Sequence, residues 1–254
     1  MGRQLDGNRV LITREEKQAK YFSNIVKEKD GIPVEVPLLK ITVIDREDQL
    51  ELLQNWKNYE WIFFTSMNGV YYYFQLLEKY NIPLAGFDKK KIAAVGHKTE
   101  NALKEFNYKA DFIPTIYDAE TMADEFFKEE QGKGPVLIVR GSRSREVLPE
   151  FFTEHQISFD SVTVYETVYN YAAKQKLNEV LKKDQIDLIT FTSPSTCEAL
   201  VEMAETLPDK LCVCIGTTTE RRAKELGFDK IITPKQFTVD AMLEKMLEYI
   251  TKEG

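Results

Sequence analysis

Two distant segments of the chain share one pattern, which narrows the choice of fold. Residues 61–69 and residues 188–195 each begin with a short apolar run, pass through Thr-Ser, and continue into a helical pattern. A continuous apolar run of this length is typical of a strand buried on both faces of a parallel sheet. Thr-Ser suits the N-cap of the helix that follows. Each segment therefore predicts a polar site at the carboxyl edge of a sheet, where open α/β folds bind ligands.

Further matches extend this repeat over most of the chain. Partners lie about 120 to 127 residues apart and occur in the same order in both copies. They are Val10 with Val136, Arg14 with Arg140, Val36 with Val162, Thr65 with Thr192, Val95 with Ile215, Thr99 with Thr219, Pro114 with Pro234 and Met122 with Met242. The repeat predicts a duplicated α/β fold of two similar lobes, each a parallel sheet flanked by helices. Residues 32–41 contain two prolines, which predicts an edge strand or a connector there.

Length and composition agree with this interpretation. A chain of 254 residues is long enough for two domains. A hydrophobic content of 43% with 30% charged residues is typical of a globular protein and not of a disordered one. No apolar run approaches the length of a membrane span, and the N-terminus lacks the apolar core of a signal peptide. We therefore expect a cytoplasmic protein without a membrane partner.

Charge and the rarer side chains exclude several functions. The net charge of −7 argues against nucleic acid as the main partner, although local helix N-termini and a few cations suffice for small anions. Cys212 and Cys214 alternate within an apolar run, so we interpret them as core residues and not as metal ligands. The only histidines, His97 and His155, lie in different halves. We therefore expect no metal centre and no Ser-His-Asp triad.

Candidate site residues are those that end strands or begin helices. They are Arg14, Thr65, Ser66, Thr99, Arg140, Gly141, Ser193, Thr218 and Thr219. The hydroxyl residues are equally suited to capping helices, and the arginines to surface ion pairs. Four helix N-termini facing one anion would instead offer free N–H groups and positive dipole ends. Residues 141–145, Gly-Ser-Arg-Ser-Arg, resemble a phosphate loop only loosely.

Tyr165 is a candidate for a different reason. The repeat places Leu39 opposite it, so this polar side chain occurs in only one of the two copies. Packing alone would favour the same residue type in both copies, and the difference therefore suggests a functional role. The alternative is an aromatic side chain at a strand edge with its hydroxyl in water.

Six short motifs, taken together, resemble the uroporphyrinogen-III synthase family. They are Val-Leu-Ile-Thr-Arg near the start, Phe-Thr-Ser twice, Ala-Val-Gly-His-Lys-Thr, Val-Arg-Gly, Val-Tyr-Glu-Thr and Ile-Gly-Thr-Thr-Thr. The resemblance extends from about Val10 to Tyr249. The usual Gly-Pro-Thr-Thr-Ala of the second half is replaced here by Gly-Thr-Thr-Thr-Glu at residues 216–220.

The resemblance implies two α/β lobes with a cleft between them. Residues 1–37 plus 170–254 would form the first lobe and residues 46–162 the second. Residues 38–45 and 163–169 would form two extended connectors, with Tyr165 beside the cleft.

The implied reaction is the cyclisation of hydroxymethylbilane, a linear tetrapyrrole rich in carboxylates, to uroporphyrinogen III. Water is lost, ring D is inverted and no cofactor is required. Tyr165 would donate the proton to the departing hydroxyl, and helix N-termini and arginines would bind the carboxylates. We also expect a monomer that makes transient contact with the preceding pathway enzyme. The alternative function is a two-lobed module that binds a small anion without catalysis.

Overall fold

The computed structural model of the chain describes residues 4–129 and 134–253. The chain separates into two compact units. Unit 1 is built from the chain up to Lys40 and from Val168 onward, and unit 2 from Ile41–Thr167. Unit 1 thus combines the beginning of the chain with its end.

Strands and helices alternate along most of the chain. The strands are β1 (Arg9–Ile12), β2 (Ile32–Glu35), β3 (Leu39–Val43), β4 (Trp61–Phe64), β5 (Lys91–Ala94), β6 (Val136–Gly141), β7 (Phe159–Tyr169), β8 (Leu188–Phe191), β9 (Leu211–Cys214) and β10 (Ile231–Ile232). The helices are α1 (Glu16–Glu28), α2 (Glu47–Gln54), α3 (Met67–Lys79), α4 (His97–Glu105), α5 (Ala119–Glu129), α6 (Val147–Glu154), α7 (Lys174–Lys182), α8 (Pro194–Met203), α9 (Thr217–Glu225) and α10 (Val239–Glu253).

The two sheets repeat one strand order. The sheet of unit 1 has the order β10-β9-β8-β1-β2, and the second sheet has the order β3-β7-β6-β4-β5. The strands β9, β8, β1 and β2 therefore correspond to β5, β4, β6 and β7, as the sequence repeat requires. The neighbours among these four are parallel in both sheets. The predicted duplicated α/β fold is confirmed.

Alternate side chains of the central strands enter cores on opposite faces of each sheet. In β4, Ile62 and Phe64 pack with α3 and α4, whereas Trp61 and Phe63 pack with α5 and α6. Helices therefore cover both faces, which explains why β4 is apolar at every position. The prediction of an edge strand is also confirmed, because β2, which contains Pro33, pairs only with β1 at the end of its sheet.

The prediction that Cys212 and Cys214 are core residues is confirmed, and Cys197 lies in the core as well. Cys197, Cys212 and Cys214 are buried free thiols, and all three belong to one hydrophobic cluster of unit 1. Burial raises the pKa of the Cys212 thiol, so the thiol stays protonated near neutral pH. Within the part of the chain that the structure describes, no helix is both long and apolar enough to cross a membrane.

An ion pair joins the two separate pieces of chain that form unit 1. Asp187, just before β8, accepts hydrogen bonds from the Arg9 guanidinium at 2.8 and 2.9 Å and from the Arg9 backbone N–H at 2.8 Å. These bonds hold the pKa of the Asp187 carboxyl below its usual range, against the opposing effect of burial. A carboxyl with a lowered pKa stabilises the fold above its ordinary pKa of about 4, and this stabilisation is lost on acidification through the lowered pKa.

We therefore expect Asp187→Asn to lower the urea midpoint of unfolding at pH 7. The difference from the wild type should begin to shrink as the pH falls below about 4, where the unfolded carboxyl becomes protonated, and it should be lost below the lowered pKa of the folded state. Glu205→Gln is the control, because Glu205 forms an exposed pair with Lys182 that contributes little. Equal midpoints for Asp187→Asn and the wild type at pH 7 would contradict this role.

Candidate active site

Three of the predicted site residues lie together at the carboxyl edge of the unit 2 sheet. Ser66 follows β4 and forms the N-cap of α3, where its Oγ accepts a hydrogen bond of 3.0 Å from the Gly69 N–H. The same Oγ lies 2.9 Å from the hydroxyl oxygen of Tyr165 in β7. The predicted capping role of Ser66 is confirmed, and a phenol hydroxyl lies at the positive end of a helix.

Gly141 at the end of β6 is the third of these residues. The register between β6 and β7 is irregular here, because Arg140 pairs with Thr163 but Gly141 pairs with Tyr165. Such an irregularity re-aims a side chain. The Tyr165 ring lies so close to Gly141 that a Cβ on this residue would be 2.6 Å from Cε2 and 2.7 Å from the hydroxyl oxygen. Only glycine permits this approach.

Tyr165 is also supported by a residue that the sequence analysis missed. The ring of Tyr72 in α3 stacks on the Tyr165 ring with centroids 5.8 Å apart, and its hydroxyl donates to the carbonyl of Ile41. Tyr72 lies in a run of three tyrosines on an amphipathic helix, and such a pattern does not distinguish a ring that contacts a site from one that fills a core.

The remaining candidates of unit 2 differ in exposure. Thr65 is half-buried, and its hydroxyl donates to the carbonyl of Val139 across the strand ends. Thr99 is buried at the third position of α4, after Gly96 as the N-cap. Arg140 is only 7% exposed, and its guanidinium donates to both carboxylate oxygens of Glu146 and to the carbonyl of Ser144. Arg140 thus closes the loop after β6, and its bond to Glu146 lowers the pKa of that carboxyl.

The candidates of unit 1 lie at the carboxyl edge of their own sheet. Ser193 caps α8 in a capping box with Thr196, as the Thr-Ser pattern predicts. Thr219 is buried and Thr218 is exposed in the first turn of α9. Arg14 follows β1.

The side chain of Arg14 differs from that of its repeat partner Arg140. Its Nε donates to Gln18 at 2.6 Å, and among the described residues it has no carboxylate partner. Burial lowers the pKa of the Arg14 guanidinium. Within the part of the chain that the structure describes, Arg14 is therefore a partly buried cation that Glu15 attracts without forming an ion pair, whereas Arg140 is paired directly with Glu146.

These features define the class of protein: a duplicated α/β protein with polar helix starts at the carboxyl edges of two parallel sheets. The sequence comparisons name the family. Residues 20–244 match the family model described as uroporphyrinogen-III synthase HemD, and the chain belongs to the uroporphyrinogen-III synthase family. Among the residues the structure describes, no cluster of three or more His, Cys, Asp or Glu side chains is suited to hold a metal ion.

Two curated relatives illustrate the family. The chain is 31% identical to a putative uroporphyrinogen-III synthase of Methanocaldococcus jannaschii, over 93% of this chain and 96% of the relative. It is 28% identical to the porphyrin biosynthesis protein HemD of Ruminiclostridium josui, over 98% of this chain. The chain spans only 50% of the length of that second relative.

Solved structures share the fold. Uroporphyrinogen-III synthetase of Helicobacter pylori matches with a TM-score of 0.65 at 22% identity, over 96% of this chain and 99% of that one. A mutant uroporphyrinogen III synthase of Thermus thermophilus matches with a TM-score of 0.60 at 16% identity, over 97% and 100%. The comparisons confirm the predicted family and enzyme class, which acts at the cyclisation step of tetrapyrrole biosynthesis.

Proposed function

We propose that this chain converts hydroxymethylbilane to uroporphyrinogen III, with loss of water and inversion of ring D, and that Tyr165 is its proton donor. Membership of the family supports the reaction. The observation that supports the residue is the 2.9 Å contact between the Tyr165 hydroxyl and Ser66 at the start of α3. Of the predicted site residues, Tyr165 is the one whose hydroxyl proton suits a departing hydroxyl group.

The Tyr165 hydroxyl gives its proton to the hydroxymethyl oxygen, the C–O bond breaks and water leaves. The pyrrole nitrogen lone pair supplies the electrons, which produces a protonated azafulvene, a cation whose charge balances that of the phenolate. Ser66 Oγ–H then donates a hydrogen bond to the phenolate, and the positive end of α3 lowers its energy. The proton that a pyrrole ring loses on regaining aromaticity restores the phenol.

The remaining candidates would bind the substrate carboxylates. Arg14 offers a cation without an acidic partner among the described residues. The starts of α3, α4, α8 and α9 place the positive ends of helix dipoles beside Ser66, Thr99, Ser193, Thr218 and Thr219. A net charge of −7 does not prevent binding of a polyanion, because exposed charges are screened beyond about 8 Å at physiological salt.

Division of the chain at connectors 38–45 and 163–169 is part of the same proposal. Both segments contain extended chain, since the first includes β3 and the second belongs to β7. We also propose that the protein acts as a monomer in the cytoplasm and receives its unstable substrate through transient contact with the preceding pathway enzyme.

Multiple turnover tests this function against simple binding. Freshly generated hydroxymethylbilane is supplied in large excess over the protein, and its disappearance is followed against a protein-free control. An enzyme consumes many equivalents at a rate proportional to protein concentration. Removal of one equivalent only, with the remainder decaying at the control rate, would identify an anion-binding module.

We expect Ser66→Ala and Thr219→Ala each to raise KM for hydroxymethylbilane by a few-fold. Loss of the Ser66 cap should also cost about 1 kcal/mol of stability. Thr251→Ala is the control, because this hydroxyl donates to a carbonyl in the last helix, away from the carboxyl edge. Unchanged KM in both variants would show that the helix starts do not bind the substrate.

A further inference from the structure

A cavity of about 360 Å³ opens at the carboxyl edge of the unit 2 sheet. Its lining comes from the segments that follow β4, β5 and β6 and from the chain before α5. The polar and aromatic lining residues are Thr65, Tyr117, Asp118, Arg140, Arg143 and Arg145. Arg140 gives the cavity a fixed wall. Its charged side chain is more than nine-tenths buried, and its hydrogen bond to the Ser144 carbonyl holds the loop that carries Arg143. The volume lies near the lower end of the range for ligand pockets, so it suits a part of a large substrate.

Two of the three arginines that line the cavity are already paired with carboxylates. Arg140 is paired with Glu146, and Arg145 is paired with Glu120. Asp118 accepts a hydrogen bond of 2.7 Å from the Thr121 N–H and caps the first turn of α5.

Arg143 is exposed, and it forms no ion pair or hydrogen bond within the part of the chain that the structure describes. Like Arg14 of unit 1, it has no carboxylate partner among the described residues. Arg140 is the residue that corresponds to Arg14 in the sequence repeat, but its guanidinium is already paired with Glu146. Arg143 thus supplies unit 2 with the free cation that Arg140 does not.

An exposed aromatic ring lies beside this cation in the cavity lining. Tyr117 is 56% exposed, and its ring packs on Gly96 so closely that a Cβ there would lie 2.9 Å from Cγ. In unit 1 the matching residue Phe237 is 60% exposed and packs in the same way on Gly216, at 3.1 Å. An exposed aromatic in both copies gains little from burial, so packing does not explain it. The Tyr117 ring also contacts the His97 ring, with centroids 5.0 Å apart, but the exposed part of the Tyr117 side chain is available to a planar ligand.

We infer that this cavity binds one pyrrole ring of the substrate together with its carboxylate arm, with Tyr117 against the ring and Arg143 on the carboxylate. This inference rests on the proposed function, since it assigns a subsite for that substrate. A pyrrole ring has an apolar face for stacking, and a guanidinium binds a carboxylate through two parallel hydrogen bonds. The unpaired guanidinium of Arg143 and the exposed ring of Tyr117 in the cavity lining meet these two requirements.

Steady-state kinetics of Arg143 and Tyr117 variants test the subsite. Arg143→Ala should raise KM about tenfold with kcat within twofold, because a charge-assisted bond to the bound substrate is lost. Arg143→Lys should recover part of the loss, since it restores the charge without the two parallel bonds. Tyr117→Leu should raise KM several-fold. Tyr171→Leu is the matched control, because Tyr171 is also 56% exposed but lies in unit 1, in the short turn before α7.

The wild type, measured in the same assay, distinguishes failure of the subsite from failure of the proposed function. If the wild type turns over and both KM values stay at the wild-type level, the subsite is refuted while the proposed function stands. If the wild type does not turn over, the proposed function itself fails. A fall in kcat alone with Arg143→Ala would also overturn the inference, because it would place Arg143 in the chemical step and not in binding.

Discussion

Tyr165→Phe is expected to fold like the wild type and to turn over about 10²-fold more slowly, the effect that general acid catalysis by a weak acid supplies. The substitution removes one oxygen and leaves the ring packed on Gly141 and Tyr72. KM should change little, because the proposed role concerns the breaking C–O bond and not the binding of carboxylates. Rates with freshly generated hydroxymethylbilane and thermal midpoints of both proteins provide the measurement.

The control for this variant is Tyr169→Phe, which removes a hydroxyl from the same strand four residues further on. It should retain the wild-type kcat. A Tyr165→Phe protein with wild-type kcat would show that the phenol hydroxyl takes no part in the rate-limiting chemistry. The 2.9 Å contact with Ser66 would then be structural.

Gly141→Ala is expected to slow turnover by a similar factor, about 10²-fold, although it removes no functional group. The added Cβ would overlap the Tyr165 ring, so either the ring or the strand end must move. Movement by a fraction of an ångström separates the hydroxyl from Ser66 and from the departing oxygen, and catalysis depends steeply on such positioning.

Combining the two changes tests whether Gly141 acts through Tyr165. Because Tyr165→Phe has already lost the hydroxyl, displacement of the ring should add little, and the double variant should turn over about as fast as Tyr165→Phe alone. Independent, multiplying losses would mean that Gly141 serves the site in another way. A fall in the thermal midpoint with unchanged kcat would limit its role to packing.

The sequence repeat predicted the fold because its signals are local. Continuous apolar runs identified β4 and β8, and Thr-Ser identified the caps at Ser66 and Ser193. The matched order of residues also predicted which strands occupy equivalent positions in the two sheets. None of these inferences required knowledge of a contact between distant residues.

The site geometry depends on contacts that a single sequence does not encode locally. Ser66 and Tyr165 are 99 residues apart, and they meet because the register of β7 is irregular beside Gly141. The ion pair of Arg140 with Glu146 depends on how the loop after β6 folds back. Matching residues by type alone therefore paired Arg140 with Arg14, although their side chains are in different electrostatic environments.

The repeat contains one signal that the sequence analysis missed, an aromatic residue at the same position of both copies. Tyr117 and Phe237 lie three residues after the matched prolines Pro114 and Pro234. Their role as neighbours of the N-cap glycines became visible only in the folded units. Two exposed aromatic rings at one repeat position are evidence about function that composition and periodicity do not supply.

The isomer formed from hydroxymethylbilane tests the central claim most directly. Freshly generated substrate is incubated with catalytic amounts of the wild-type protein, the product is oxidised, and the porphyrin isomers are separated by chromatography. Closure without assistance gives the unrearranged type I isomer, whereas the proposed reaction inverts ring D. We expect type III in large excess over type I. Type I alone, at the rate of the protein-free control, would contradict the account.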